Sequence, residues 1–149
     1  MNPLIQATCT THGTPLGPVL LCATEHGLCG LWFEAQHHHP PAHTVALWAV
    51  NPDHPLLRDA GTQLDAWFAG QRTRFELPLD LSAGTAFQQQ VWQALLGIAP
   101  GQTCSYRDLE QAIGRPLAVR AVGAAVGRNP LSIIVPCHRA LGANGALTG

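Results

Sequence analysis

The chain has 149 residues, 46% of them hydrophobic, and a formal net charge of -1. This length and composition fit one or two small soluble domains with a buried core. No apolar run approaches membrane-spanning length, and residues 1–6 lack the basic start and the apolar stretch of a secretion signal, so we predict a cytoplasmic protein without a membrane partner.

The first predicted elements form a β-hairpin. Two apolar segments, residues 19–24 and 28–33, flank Glu25-His26-Gly27, where the glycine permits a tight turn. Both strands are apolar enough to be largely buried. Residues 36–41 contain three consecutive His and two Pro without periodicity, so we predict a surface loop there.

A helix and an edge strand follow in the N-terminal half. From Asp53 onward apolar residues recur at helical spacing, and Gly70 supplies the stop. Residues 75–81 then alternate between apolar and polar side chains, which indicates a strand, and Pro78 restricts that strand to a sheet edge. We therefore predict an α/β domain over residues 1–82.

The second half, residues 83–149, is predicted to be mainly helical. A capping box at residues 85–88 starts a first helix, which Pro100-Gly101 ends. A second, short helix should span residues 105–114, and a third should open at Arg115-Pro116 and run to about Val126. Two short helices joined by a glycine-containing turn are a helix-turn-helix candidate, whose second helix is available to lie in a DNA groove.

The positive charge is concentrated in this same half. Residues 101–149 hold five Arg against Asp108 and Glu110, a net charge of +3, whereas the first hundred residues hold three Arg against seven acids, a net charge of -4. Contact with a polyanion such as nucleic acid would therefore involve the C-terminal half. Arg is also a common solvated surface residue, so the charge alone does not establish such contact.

One cysteine stands in a reactive sequence context. Residues 133–135 predict a short buried strand that leads to Pro136, and Cys137-His138-Arg139 follows at once. The neighbouring imidazole and guanidinium favour the thiolate, so Cys137 is the best nucleophile candidate among the five cysteines. The alternative is a buried, inert thiol. An odd number of cysteines without regular spacing leaves at least one thiol free and fits a reducing compartment.

The surroundings of this cysteine form a distinctive motif. Asn129-Pro130 precedes Ile133-Ile134-Val135-Pro136-Cys137-His138-Arg139, and residues 87–92, 105–106 and 118–123 stand upstream in consistent order. Together these segments closely resemble the O6-alkylguanine-DNA alkyltransferases, and Thr14-Pro15-Leu16-Gly17 is similar to the N-terminal domain of that family. The resemblance implies a ribonuclease-H-like α/β domain followed by a helical domain with a winged-helix type helix-turn-helix.

The resemblance also implies a role for the residues around the thiol. Cys137 would accept an alkyl group from O6-alkylguanine in double-stranded DNA, and O4-alkylthymine is a second candidate substrate. His138 would deprotonate the thiol through a water molecule, and Asn129 would hold the turn around it. The product is a thioether, which no cofactor or residue of the chain regenerates, so the transfer would be irreversible.

The DNA contacts follow from the same resemblance. Tyr106 would press on the phosphate of the target nucleotide and help to rotate it, while Arg120 would fill the vacated place in the base stack. Small residues of the third helix would let it approach the minor groove closely, and the expected DNA-binding set is Tyr106, Arg120, Ala121, Gly123 and Arg128. Without the resemblance, a part-buried amphipathic tyrosine, a solvated arginine and ordinary helix packing explain the same residues.

Two other functions remain open at this point. The family pattern continues past the position of Gly149, after a hairpin turn predicted at Asn144-Gly145, into a segment whose Glu orients the active-site His. Without that Glu, a non-catalytic protein that binds or signals alkylated-DNA lesions is the alternative, and the presence of Cys137 argues against it. A general Cys-His hydrolase is disfavoured because no orienting partner or oxyanion site is evident.

We expect neither a metal nor a cofactor. Some members of the family bind zinc in the N-terminal domain, but their ligands do not match here, and only the scattered Cys9, His12, Cys22, His26 and Cys29 are available to replace them. The expected partner is double-stranded DNA containing alkylated bases, bound by a monomer.

Overall fold

A computed structural model describes residues 7–34, 36, 38–114 and 118–137 and the backbone of residues 140–141. The chain divides into two compact units, Met1–Ala83 and Gly84–Gly149. The first unit contains a sheet with a long helix, and the second is mainly helical. This confirms the predicted order of an α/β half followed by a helical half. No helix in the described part of the chain is both long and apolar enough to cross a bilayer.

The N-terminal unit is built on a sheet whose described strands are β1 (Thr8–His12), β2 (Val19–Thr24), β3 (Gly27–Phe33) and β4 (Ala49–Val50), in the order β3-β2-β1-β4. The first three are antiparallel neighbours, and β4 runs parallel to β1. The predicted hairpin is therefore confirmed as β2 and β3. Gly27 has a φ of 154°, and a Cβ there would lie 2.7 Å from the Pro78 carbonyl oxygen, so this turn requires glycine.

One face of the sheet packs against a long helix. The helix α2 (Pro55–Phe68) lies on β1, β2 and β3, as the periodicity from Asp53 predicts. Its buried Leu57, Ala60 and Leu64 complete this core. The chain leaves the helix at Gly70, whose φ of 74° is the left-handed conformation that favours glycine.

The other face carries a second, smaller core. A short helix, α1 (Ala42–Val45), and the turn after it bring Trp48 over the sheet, where its ring stacks on Trp32 with centroids 6.1 Å apart. The buried members of this cluster are Ala7, Cys9, Cys22, Cys29, Trp32 and Trp48. A Cβ on Gly30 would clash with the Trp32 ring, so the glycine makes room for the aromatic pair.

The strand predicted at residues 75–81 is wrong. The structure forms only an isolated parallel bridge between Leu28 and Leu79. The Leu28 N–H donates to the Pro78 carbonyl at 2.8 Å, and the Asp80 N–H donates to the Leu28 carbonyl at 2.8 Å. Residues 78–80 therefore lie at an edge of the sheet, as Pro78 indicates, and this edge is the one beside β3. Pro78 has no N–H to donate, which is consistent with pairing that does not extend into a ladder.

Asp80 fixes the end of this unit through a buried carboxylate. Its oxygens accept hydrogen bonds from the Thr24 hydroxyl at 2.5 Å, the Ser82 hydroxyl at 2.5 Å and the Ser82 N–H at 2.9 Å. Burial raises the pKa of Asp80, but these hydrogen bonds and nearby His26 outweigh it, so the pKa lies below its ordinary value. The charged carboxylate is thus favoured in the folded protein.

We therefore expect Asp80 to stabilise the fold at neutral pH and to lose that effect in acid. Because its folded-state pKa is lowered, the contribution is fully present above the unfolded value of about 3.9 and is lost as the pH falls through the folded value. Asp80→Asn should lower the free energy of unfolding by about 1.5–3 kcal/mol at pH 7. Urea unfolding of both proteins from pH 7 to pH 3 checks this, and a difference independent of pH would contradict it.

The C-terminal unit contains three described helices, α3 (Ala86–Leu96), α4 (Tyr106–Ala112) and α5 (Val119–Gly127), which pack pairwise. Two short strands, β5 (Cys104–Ser105) and β6 (Ala140–Leu141), pair in parallel. The indole N–H of Trp92 on α3 donates to the Ala125 carbonyl on α5 at 2.8 Å, which ties these two helices together inside the core.

The predicted helix starts are largely confirmed in this unit. Capping boxes are present at residues 85–88 and 105–108. The first helix ends at Gly97 rather than at Pro100-Gly101, so that boundary was wrong by one turn. The start predicted at Arg115-Pro116 and the turn predicted at Asn144-Gly145 lie outside the described residues, and the described part of α5 begins at Val119.

Candidate functional site

Asn129 organises the loop that leads to the candidate nucleophile. Its side-chain amide donates to the Val135 carbonyl at 2.7 Å, and its side-chain oxygen accepts from the Leu131 N–H at 2.9 Å. Asn129 is only 5% exposed, so both hydrogen bonds are shielded from water. One buried amide therefore closes the loop between residues 129 and 135.

The segment between these two contacts is a turn, which corrects the strand predicted at residues 133–135. The Ile134 N–H donates to the Ser132 carbonyl at 2.9 Å, and Ile133 between them has a φ of 73°. This is a γ-turn in the left-handed region, which a β-branched residue adopts only at a cost of about 1–3 kcal/mol. The expected burial is nevertheless correct, because Ile134 and Val135 are both buried.

Cys137 follows immediately and is held by the same carbonyl. Its N–H donates to the Val135 carbonyl at 2.8 Å, which turns the chain tightly around Pro136. The Val135 oxygen thus accepts from both the Asn129 amide and the Cys137 backbone. The cysteine is free and partly accessible. His138 and Arg139 lie outside the described residues.

Tyr106 lies near this thiol. It is the first residue of α4, and its position is fixed by the capping box, in which the Ser105 hydroxyl accepts from the Asp108 N–H at 3.0 Å and the Asp108 carboxylate accepts from the Ser105 N–H at 3.0 Å. Burial raises the pKa of Tyr106, and the charge of the nearby Cys137 thiolate raises it further. The phenol therefore keeps its proton and remains a hydrogen-bond donor beside Cys137.

The Tyr106 ring packs against α5 at Gly123. A Cβ built on Gly123 would lie 3.1 Å from the Tyr106 Cε2 atom, closer than ordinary contact distance. The absence of a side chain at Gly123 thus sets the distance between this ring and α5. The structure therefore brings Cys137, Tyr106 and Gly123 together, as well as Asn129 through the loop.

We expect Gly123→Ala to displace Tyr106 by a few tenths of an ångström without unfolding the protein. The alanine gains about 1 kcal/mol of helix propensity, which offsets part of the crowding. If Cys137 accepts an alkyl group from duplex DNA, as the resemblance implies, that transfer should slow by about tenfold, since small displacements near a reacting centre are costly. Gly127→Ala is the matched control, because nothing lies within 4 Å of a Cβ at that position of α5. Equal rates for both variants, measured by single-turnover transfer, would contradict the packing role.

A concave pocket adjoins Tyr106. Its volume is about 340 Å³, and Ser105, Tyr106, Arg107 and Val119 line it. Arg107 and Val119 are not among the site residues predicted from the sequence, although they stand next to Tyr106 and Arg120, which are. Of the predicted DNA-binding residues, Arg120, Ala121 and Arg128 are exposed, as is Arg107. This unit thus presents three arginines to solvent, and one of them, Arg107, lines the pocket.

The other thiols are poorer nucleophiles. Burial raises the pKa of Cys29 to about 12, with nearby Asp80 adding to the effect, and burial raises the pKa values of Cys9 and Cys22. Burial and then Asp108 raise the pKa of Cys104. The thiol form is favoured at all four positions, which disfavours attack by them. Among the described residues, no group of three or more His, Cys, Asp or Glu is arranged to hold a metal ion.

Comparison with known proteins gives matches across both units. The ribonuclease-like domain of 6-O-methylguanine DNA methyltransferase matches residues 8–81, and the DNA binding domain of the same family matches residues 86–149. A Mycobacterium leprae protein named methylated-DNA--protein-cysteine methyltransferase is 45% identical over 141 residues, covering 95% of this chain and 82% of the relative. The constitutive protein of that name from Bacillus subtilis is 46% identical over 143 residues, covering 94% and 84%.

Comparison with solved structures also gives a match to both units. Mycobacterium tuberculosis OGT in complex with DNA superposes with a TM-score of 0.80 at 44% identity, covering 97% of this chain and 83% of that one. The similarity therefore extends over both units of the chain.

Proposed function

The chain belongs to the 6-O-methylguanine DNA methyltransferase family, and on that premise we propose that Cys137 is the residue that takes the alkyl group. The activity is that of a methylated-DNA--protein-cysteine methyltransferase, which repairs DNA by alkyl transfer to protein. The observation that supports Cys137 is its position: a partly accessible thiol, held in a tight turn by the buried Asn129 and close to Tyr106.

The proposed reaction is a displacement at carbon. The Cys137 thiolate attacks the alkyl carbon, the bond between that carbon and O6 of guanine breaks, and its electron pair stays on the oxygen. The base recovers a proton, and the sulfur keeps the alkyl group as a thioether. The thioether does not give the alkyl group up again, so each protein molecule reacts once. We propose that His138 removes the thiol proton and that Asn129 positions the sulfur through the Val135 carbonyl.

The base must leave the duplex before sulfur can reach its substituent. Extrusion of a base costs a few kcal/mol, least for a poorly paired lesion. We propose that Tyr106 presses on the adjacent phosphate and that Arg120 occupies the vacated place in the stack. Ala121 and Gly123 permit close approach of α5, and Arg128 contacts the backbone. Phosphate contacts of this kind make binding dependent on salt and largely independent of sequence.

We also propose domain boundaries, fold types and a specific DNA ligand for this chain. We assign residues 1–82 to a ribonuclease-H-like domain and residues 83–149 to a DNA-binding and alkyl-acceptor domain with a winged-helix type helix-turn-helix. The partner is DNA, and the specific ligand proposed is an alkylated base in a duplex bound by a monomer. Free thiols at all five cysteines suit a reducing compartment, which supports a cytoplasmic location.

The test is to locate the transferred group. The protein is incubated with duplex DNA containing O6-methylguanine and digested with trypsin, which cleaves after Arg128 and Arg139 and so isolates Cys137 from the other cysteines. One methyl group per protein on the peptide 129–139 is expected. Tight binding to the lesion without any methylated peptide would instead support a non-catalytic lesion-binding protein.

We also expect Arg120→Ala to separate base extrusion from chemistry. If Arg120 fills the gap in the stack, its loss should slow transfer from methylated duplex by about tenfold or more, in line with the value of one stacking contact. Transfer from free O6-benzylguanine, which needs no extrusion, should change little. Arg58→Ala, which removes an exposed arginine of the N-terminal unit, is the control. Equal losses on both substrates would rule out the stacking role.

A further inference from the structure

Cys9 and Cys22 face each other across the β1–β2 ladder. They are direct partners in the antiparallel register. The Cys9 carbonyl accepts a hydrogen bond from the Asn51 N–H at 2.9 Å, so the backbone polar groups of Cys9 point toward β4 and away from β2. The two cysteines therefore form a non-hydrogen-bonded pair, the arrangement in which opposite Cα atoms approach to about 4.5 Å and side chains lie closest.

The two thiols are also in contact. Each thiol shifts the pKa of the other, and both belong to the same small buried core. A Cα separation of about 4.5 Å lies within the range that a disulfide spans, about 4.4–6.8 Å. A bond between these sulfurs thus requires rotation of side chains rather than movement of strands.

The reactivity of the two sulfurs differs. Burial raises the pKa of Cys9, but the hydrogen bond from Cys22 lowers it. Burial raises the pKa of Cys22, and the charges of Cys29 and Cys9 and the hydrogen bond to Cys9 raise it further. Both thiols have raised pKa values, but Cys9 has a lowering contribution that Cys22 lacks. Cys9 is therefore the sulfur of this pair that ionises more readily and reacts first with an oxidant.

Trp48 belongs to the same buried cluster as the two cysteines. Its ring stacks on Trp32, but its indole N–H is buried and has no hydrogen-bond acceptor within the described structure. An unpaired buried donor disfavours the closed arrangement. Trp48 directly precedes β4, a strand of two exposed residues that pairs with β1 at the edge of the sheet, and an edge segment of this kind opens locally more readily than the central strands.

From this geometry we propose that Cys9 and Cys22 are an oxidation site, at which a peroxide converts the two thiols into a disulfide between β1 and β2. The Cys9 thiolate attacks one peroxide oxygen, the O–O bond breaks, and water leaves after protonation, giving a sulfenic acid. The Cys22 sulfur then attacks the Cys9 sulfur, the S–O bond breaks, and a second water leaves. Two thiols and one hydrogen peroxide thus yield one disulfide and two waters.

The disulfide should stabilise the N-terminal unit. It closes the loop between residues 9 and 22 and so restricts the unfolded chain, which corresponds to a rise in melting temperature of about 10–20 °C for a domain of this size. Its short Cα separation also makes it reducible, so a thiol reductant should reverse the change.

The experiment is a peptide map of the full chain treated with hydrogen peroxide. Free thiols are blocked with N-ethylmaleimide in denaturant, and digestion uses pepsin at low pH, because no Lys or Arg precedes Arg58 and trypsin leaves Cys9, Cys22 and Cys29 in one peptide. Pepsin can cleave at the leucines between Cys9 and Cys22, and its low pH suppresses thiol exchange. The expected product is a pair of peptides linked through Cys9 and Cys22 that dithiothreitol separates.

Two variants serve as comparisons. Cys29→Ala should retain the linked peptides and the rise in melting temperature, and Cys22→Ala should lose both. The map of the wild-type chain decides the proposal even if Cys22→Ala does not fold. The proposal would be overturned if Cys9 and Cys22 were both recovered with N-ethylmaleimide attached, in samples where Cys137 has been oxidised. Linkage of either residue to Cys29 would also overturn it. None of these readouts depends on alkyl transfer.

Discussion

Cys137→Ser should abolish alkyl transfer while the protein stays folded and still binds alkylated duplex DNA. A serine hydroxyl has nearly the shape of the thiol but is a weak nucleophile at neutral pH unless a base activates it strongly. The loss should exceed about a thousandfold, since the reacting atom itself is removed. Single-turnover incubation with DNA containing O6-methylguanine, followed by mass analysis of the peptide 129–139, measures it.

Cys104→Ser is the matched control for this variant. Cys104 is the other partly exposed cysteine of the same unit, and burial and Asp108 raise its pKa. Its replacement should leave the rate of transfer within about twofold of the wild type, a change below 0.5 kcal/mol. If Cys137→Ser still accepted a methyl group and Cys104→Ser did not, the acceptor would be assigned to the wrong sulfur.

Asn129→Ala should cost both stability and activity. The substitution leaves the Leu131 N–H without its buried partner, and such an orphaned group costs about 1–3 kcal/mol. It also removes one of the two hydrogen bonds to the Val135 carbonyl, which costs about 1 kcal/mol more. We therefore expect the free energy of unfolding to fall by about 2–4 kcal/mol. The same change releases the carbonyl that also holds the Cys137 N–H, so transfer in the remaining folded protein should slow as well.

Two further variants separate these effects. Asn129→Asp keeps an acceptor for the Leu131 N–H but places an oxygen against the Val135 carbonyl. Its destabilising effect should therefore fall mainly on the part of the loop that holds Cys137. Asn51→Ala removes an exposed asparagine that accepts one hydrogen bond from the Asp53 N–H, and it should cost less than about 1 kcal/mol. Urea unfolding combined with single-turnover rates measures all three. Equal stability of Asn129→Ala and Asn51→Ala would show that the loop does not depend on Asn129.

The sequence predicts the elements whose signals are local. Thr85 with Gln88 and Ser105 with Asp108 form the capping boxes that their spacing indicates, because a cap is satisfied within one helical turn. The β2–β3 hairpin follows from a glycine between two apolar segments. The prediction that Cys137 is the nucleophile rests on signals of the same kind, its immediate neighbours and the motif around it. In each case the deciding interaction lies within a few residues.

Other elements depend on partners far along the chain. The strand β1 has the sequence Thr-Cys-Thr-Thr-His, which gives no clear apolar pattern, and it forms because β2 and β4 supply hydrogen-bond partners on both sides. Residues 75–81 have a strand pattern but find only one bridge, at Leu28. The pairing of a strand is decided by its neighbours in space, which its own residues do not specify.

The functional site likewise has some features that local sequence predicts and others that depend on packing. The sequence by itself determined which sulfur is the acceptor candidate and which half of the chain carries the positive charge. Only the tertiary structure decided that the apolar run at residues 133–135 is a turn with Ile133 at positive φ, since Asn129 draws Leu131 and Val135 onto one buried amide. Likewise only packing places Tyr106 against Gly123 and near Cys137. These contacts join α4, α5 and the loop, and a distance between separate elements is fixed by how their side chains fill the space between them.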